Sequence, residues 1–256
     1  MAKKDGIGRV PTNIKGFDKL AQGGFPETST VLLAGSPGTG KTIFGLEYIY
    51  RGAKDFNQKG LYISFEQDNT SIKEQALQFG WDLEKYEKLG LIELLYIPTK
   101  DIDRLTADFI RARVLRNKVH RLVVDSLSTL AINAPIYAPL KDLAILDVMK
   151  NKKIFSPPIL GNLVMRRFIY NFIDELRNVD HCTSLLISES SEKGEYLSRD
   201  TISEFVCDSV LHFKFESMGG DFSRSILIRK MRHTKNDEDI HPLEIGKTGI
   251  KVHTLK

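Results

Sequence analysis

The feature that most limits what this chain can become is the run Gly35-Ser36-Pro37-Gly38-Thr39-Gly40-Lys41-Thr42, which satisfies G-x-x-x-x-G-K-[ST]. It follows Thr30-Val31-Leu32-Leu33-Ala34, which reads as a buried strand. It opens a helical pattern from about Thr42 to Ala53 with Phe44, Tyr48 and Ile49 on one apolar stripe. Strand, glycine loop and helix in that order are what a phosphate cradle needs. Glycines let successive amides turn inward around an anion, and the helix N-terminus adds a favourable dipole. Lys41 supplies a cation for the outer phosphates, and the Thr42 hydroxyl suits Mg2+. From average residue frequencies, a chance match in a chain of 256 residues is on the order of one in a hundred. Glycines at 35, 38 and 40 do not fit G-x-G-x-x-G, which argues against a dinucleotide-binding turn.

The rest of the chain alternates short apolar runs with helical segments, an α/β pattern. Strands are expected at Leu61 to Phe65, Leu91 to Ile97, Leu122 to Val124 and Ser184 to Ile187. Helices are expected from Asp68 or Asn69, as N-cap, to Phe79, then from about Arg104 to Asn117 and from Leu163 to Asn178. Most of these strands lack polar alternation, so a mostly parallel central sheet flanked by helices on both faces is predicted. Asp208 to Phe215 and Arg224 to Met231, separated by Met218-Gly219-Gly220-Asp221, read as a C-terminal antiparallel hairpin. Short strands near Leu243 to Ile245 and Ile250 to His253 follow it. Residues 1–256 are read as one domain with an irregular insertion at about 134–161. There Pro135, Pro139, Pro157 and Pro158 bracket a short helix at Leu140 to Lys150.

Composition excludes several classes. With 41% hydrophobic and 27% charged residues the chain is globular rather than disordered. No stretch approaches the ~20 apolar residues of a membrane helix, and Met1 to Gly6 lacks the apolar segment of a signal peptide, so a cytoplasmic location is expected. Cys182 and Cys207 lie far apart without metal or disulfide spacing, and the six histidines are scattered. The 37 Lys and Arg exceed the 33 Asp and Glu by four, so placement rather than total charge decides any binding of polyanions.

A P-loop site needs a carboxylate on a neighbouring strand to hold the metal's water shell, and Leu122-Val123-Val124-Asp125 supplies an apolar strand ending in one. The alternative for Asp125 is a helix N-cap. Hydrolysis also needs a group that orients or deprotonates water. Glu66, just after the strand at 61 to 65, is the candidate, its alternative being a solvated residue at a helix start. Arg229, Lys230, Arg232, His233 and Lys235 form a basic group in which Lys230 and Arg232 share one strand face and could clamp a phosphate. The alternative is an edge strand protected by charge.

These residues resemble one domain of the KaiC family, among the RecA/RadA-type P-loop ATPases, from Val10 to His253. The likeness extends beyond the P-loop to Gly16-Phe17-Asp18, Gly23-Gly24-Phe25-Pro26, Phe65-Glu66, Phe79-Gly80-Trp81-Asp82-Leu83, Val124-Asp125-Ser126, Arg166-Arg167, Glu204-Phe205-Val206 and Lys230-Met231-Arg232-His233-Thr234. The resemblance implies a RecA-like core, ATP with Mg2+, and a ring, usually a hexamer, with nucleotides between subunits. It implies Glu66 as the catalytic carboxylate, and Lys230, Arg232 and Thr234 as the segment reaching a neighbour's nucleotide. Three departures stand out. KaiC domains usually carry paired glutamates where this chain has Glu66-Gln67, which implies slow turnover. The phosphorylated Ser-Thr pair of the clock protein aligns with Glu204-Phe205, so autokinase activity is not implied. A single domain resembles stand-alone archaeal KaiC-like ATPases rather than an oscillator component, and the segment at 135–161 has no recognised counterpart.

Three functions follow as expectations. The first is a Mg2+-dependent ATPase that assembles with copies of itself. The second is a nucleotide-gated module that docks a protein partner, not identified by the residues, with vestigial hydrolysis. The third is a recombinase-like binder of single-stranded DNA or RNA using Lys150, Lys152, Lys153, Arg166 and Arg167, with Phe155 and Phe168 for stacking.

Overall fold

The computed structural model describes residues 7–103, 105–133, 157–190, 196–215 and 224–254. Lys150, Lys152, Lys153, Phe155, the short helix expected after Leu140 and the turn at Met218 to Asp221 lie outside them.

The chain begins with β1 (Arg9–Val10), α1 (Phe17–Leu20) and β2 (Phe25–Pro26). Then come β3 (Thr30–Gly35), α2 (Lys41–Phe56), β4 (Gly60–Ser64), α3 (Asn69–Leu77), α4 (Leu83–Lys88), β5 (Ile92–Tyr96), α5 (Thr106–Asn117), β6 (Arg121–Asp125) and α6 (Leu127–Asn133). The C-terminal half holds α7 (Pro157–Arg177), β7 (Thr183–Glu189), α8 (Ser203–Val206), β8 (Ser209–Phe215), β9 (Arg224–Met231), β10 (Ile240–Gly246) and β11 (Gly249–Val252). One sheet runs in the order β11-β10-β9-β8-β3-β7-β6-β4-β5. From β8 across to β5 every pairing is parallel, and β8 through β11 pair antiparallel. The α/β class, the mostly parallel sheet and the antiparallel C-terminal strands all match the reading of the sequence.

Why the strands are apolar throughout is visible in how they share out their side chains. Val31, Leu33, Tyr62, Val123, Leu185 and Ile187 enter one buried cluster. Leu32, Ala34, Leu61, Ile63, Leu122, Val124 and Leu186 enter another on the opposite face. The helix α2 is buried nearly all round rather than along a stripe. Gly45, Leu46, Glu47, Tyr50 and Gly52 are covered in addition to Phe44, Tyr48 and Ile49. The extra cover comes from segments far away in sequence. Phe17 and Phe25 pack with Phe44 at ring separations of 5.2 and 6.4 Å, and Trp81 stacks on Tyr50 at 5.8 Å.

Three features differ from expectation. The helix α7 starts at Pro157 rather than Leu163, because Pro157 and Pro158 sit in its first turn, where a missing amide hydrogen costs nothing. The short helix α4 was not foreseen, although its cap, Lys85 N donating to Asp82 Oδ1 at 2.9 Å, is a local signal. The strand β9 lies between β8 and β10, but β10 pairs only with Ser225 to Leu227, so the end of β9 that carries Arg229 and Lys230 is paired with β8 alone.

Candidate functional site

The strand β3 ends at Gly35 and α2 starts at Lys41, so the phosphate-type loop closes at the C-terminal edge of the sheet. Gly38 and Gly40 have φ of 78° and 106°, a left-handed backbone that side chains other than glycine rarely adopt. A Cβ on Gly40 would also press on Ile245 Cδ1 at 3.1 Å. Lys41 is buried, and its ammonium donates to the carbonyls of Gly35 at 2.7 Å and Ser36 at 2.8 Å. Thr39 Oγ1 donates to the Ser36 carbonyl at 2.8 Å, bracing the loop. Burial pulls the Lys41 ammonium below its usual range, while Asp125 and Glu189 push it back up.

Sheet order brings the other groups to the same edge. The registers pair Gly35 with Glu189, Ile187 with Asp125, and Asp125 with Ser64, so the C-terminal ends of β3, β7, β6 and β4 lie side by side. Asp125 Oδ2 accepts from Thr42 Oγ1 at 2.9 Å and from Tyr62 Oη at 2.6 Å. Burial pushes the Asp125 carboxyl above the ordinary range, and these two hydroxyl donors oppose that rise. Asp125 is not a helix cap. That place belongs to Ser126, whose Oγ accepts from Thr129 N at 3.2 Å. Glu66, exposed beyond β4, accepts from Thr129 Oγ1 at 2.5 Å.

Lys41, Thr42, Glu66, Asp125, Glu189 and Arg224 line one cleft of about 380 Å³, with Gln67 and Ser126 also on its wall. Its donor set fits a nucleoside triphosphate with Mg2+: a lysine and loop amides for phosphate, and the hard oxygens of Thr42 and Asp125 for the cation. Among the described residues there is no group of three or more His, Cys, Asp or Glu of the kind that holds a metal by itself. Cys182 and Cys207 are both buried free thiols.

Four residues of the site were missed in the sequence. Glu189 ends a parallel strand just as Asp125 does, so the same positional argument would have found it. Tyr62 and Thr129 act through contacts between elements. Arg224 donates from Nε to the Gly38 carbonyl at 3.1 Å and lies over the Phe215 ring, a link across 186 positions that no local pattern announces.

The basic group lies elsewhere. Met231 pairs with Ser209 and Ser209 with Val31, whereas Gly35 pairs with Phe213. Lys230, Arg232 and Thr234 thus sit at the opposite end of the sheet from the loop, at least roughly 13 Å along the strands. Lys230 Nζ donates to the carbonyls of Glu204, Phe205 and Cys207, and Arg232 Nη1 pairs with Asp208 Oδ1 at 3.1 Å, so both turn to one segment. Thr234 Oγ1 accepts from Arg9 Nη1 at 2.6 Å. Arg166 and Arg167 are exposed on α7, while Phe168 is half-buried against the core and stacks on Phe172 at 6.5 Å.

No helix among the described residues is long and apolar enough to cross a membrane. The family model described as "ATPase: KaiC" matches residues 10–155 and 158–256. That span takes in most of 135–161, the segment with no recognised counterpart in the sequence. UPF0273 proteins of Methanocaldococcus jannaschii and Pyrococcus horikoshii are 29% and 30% identical, each over 97% of this chain and 97% and 95% of their own. The crystal structure of the KaiC-like protein PH0186 from Pyrococcus horikoshii is 30% identical, covers 97% of this chain and all of that one, and has a TM-score of 0.73.

Proposed function

The chain belongs to the KaiC ATPase family, and from that membership and the chemistry of the cleft we propose that it hydrolyses ATP to ADP and phosphate in a ring of like subunits, usually six in this family, with each nucleotide between two of them. The observation that carries this reading is the meeting of Lys41, the Thr42–Asp125 pair and Glu66 in one cleft.

Each residue has a separate task. The loop amides and Lys41 bind the phosphates and offset their charge. Thr42 and Asp125 would hold Mg2+, which when bound neutralises charge on the outer phosphate oxygens. Tyr62 keeps Asp125 turned toward Thr42. Glu66 accepts a hydrogen bond from the attacking water and takes its proton. Lys230 and Arg232, too far from their own loop, act on the nucleotide of the adjacent subunit, and Thr234 contacts that same nucleotide. Phosphate release by wild type and Glu66→Gln, with the size of the protein followed with and without ATP and Mg2+, tests this. Loss of turnover with binding kept supports it, and unchanged turnover removes Glu66 from the mechanism.

Gln67 favours a second reading. It lines the cleft where the family's paired glutamates would place another carboxylate, which supports a nucleotide-gated module whose hydrolysis is vestigial. Turnover of many ATP per minute by the assembled protein would discard it.

A further inference from the structure

Glu66 is an exposed member of the cleft. It lies on the loop after β4, and its own amide reaches only Ser64 Oγ at 3.3 Å. A free glutamate samples many rotamers, and a base that must meet one water gains from being confined to one of them. Among the described residues, the hydrogen bonds to its carboxylate come from α6 and its cap, Ser126. Thr129 Oγ1 donates to Glu66 Oε1 at 2.5 Å, and Ser126 Oγ lies 3.5 Å from the same oxygen. The two hydroxyls are 2.9 Å apart. A hydroxyl has one proton to give. With that of Thr129 directed to the carboxylate, Ser126 donates to Thr129 Oγ1 while accepting from Thr129 N at 3.2 Å. The chain Ser126, Thr129, Glu66 is therefore polarised in one direction, and it starts one residue after Asp125.

We propose that Thr129 is a positioning residue for hydrolysis. Its hydroxyl holds Glu66 Oε1, leaving Oε2 to receive the water, and it keeps its own proton throughout. The inference rests on the hydrolytic reading above. With glutamine at 67 in place of a second carboxylate, the hydroxyls of Ser126 and Thr129 confine the base.

Steady-state ATP hydrolysis and ATP binding, measured on the full chain, test this with Thr129→Val, Thr129→Ser, Glu66→Gln and Glu66→Gln/Thr129→Val. Thr129→Val removes the hydroxyl at nearly constant volume. It is expected to lower kcat about tenfold, with KM and ATP affinity changed by less than about twofold. Thr129→Ser is expected to recover most of the rate. In the Glu66→Gln background Thr129→Val should cost nothing more, because the group it positions is gone. Wild-type kcat in Thr129→Val, equal damage from valine and serine, or multiplying losses in the double variant would overturn the proposal while leaving Glu66 in place. Wild-type turnover by Glu66→Gln would overturn the hydrolytic reading itself, and this inference with it. Should Thr129→Val not fold, Thr129→Ala against Thr129→Ser makes the same comparison.

Discussion

The Lys41 ammonium donates to the Gly35 carbonyl at 2.7 Å, closing the loop on the strand residue from which it starts. A second bond, to Ser36, draws the next carbonyl to the same cation. Carbonyls gathered on the lysine leave the loop amides to face the other way, which is the orientation an anion requires. The lysine thus shapes the cradle as well as charging it.

Replacing Lys41 with methionine keeps length and burial but removes both functions. Nucleotide affinity should fall by about 100-fold or more, since charge-assisted bonds to phosphate contribute about 1.5–3 kcal/mol each. Calorimetric titration with ATP reads this directly, and affinity within about threefold of wild type would contradict the role given to Lys41.

The bond from Tyr62 Oη to Asp125 Oδ2 leads to a prediction about the cation rather than the nucleotide. Outer groups that orient a ligand carboxylate commonly contribute about 10- to 100-fold in metal affinity. Tyr62→Phe should therefore raise the Mg2+ concentration for half-maximal hydrolysis by about tenfold, with kcat at saturating Mg2+ largely restored. A magnesium titration of phosphate release checks it. A loss of kcat that excess Mg2+ cannot repair would speak for a different task.

Geometry also predicts complementation. Lys230 and Arg232 lie at the far end of the sheet from Gly35, so in the proposed ring a loop from one subunit works with the basic pair from another. Rings of Lys41→Met alone, or of Lys230→Ala/Arg232→Ala alone, should be inactive. Mixed rings should regain turnover, because some interfaces then unite an intact loop with an intact pair. Phosphate release measured across mixing ratios should peak between the pure forms, and a flat profile would place the pair's action, if any, within its own subunit.

Much of this was legible because it is local. The loop from Gly35 to Thr42 sits between a strand and a helix in eight consecutive residues, and Asp125 closes an apolar run. The strands followed from apolar runs without polar alternation. What stayed hidden depends on meetings between distant segments. Arg224 finds Gly38 only once β9 is laid across the sheet, and Tyr62 finds Asp125 only because β4 and β6 are neighbours. The near-complete burial of α2 could not be read from its own stripe, since the cover comes from Phe17, Phe25 and Trp81.

That cover also buries a carboxylate. Glu47, on the hidden side of α2, accepts from Ile250 N at 2.7 Å and faces Arg51 at 3.3 Å, and a Cβ on Gly249 would stand 2.5 Å from its Oε2. Burial raises its carboxyl from 4.5 to about 7, against the opposing pull of the Ile250 amide and Arg51. Between those two values the folded chain keeps a proton that the unfolded chain has released. Rising pH therefore favours unfolding across that window, and the contribution is whole below it and lost above it. A shift of this size corresponds to about 3 kcal/mol. Glu47→Gln has no proton to lose, so the wild-type unfolding free energy should fall relative to the variant's by that order between pH 4.5 and 7, then run parallel to it. Urea unfolding of both proteins at several pH values measures the difference. A constant gap across the window would mean that Glu47 stays ionised in the fold, held by Arg51 more strongly than burial opposes it.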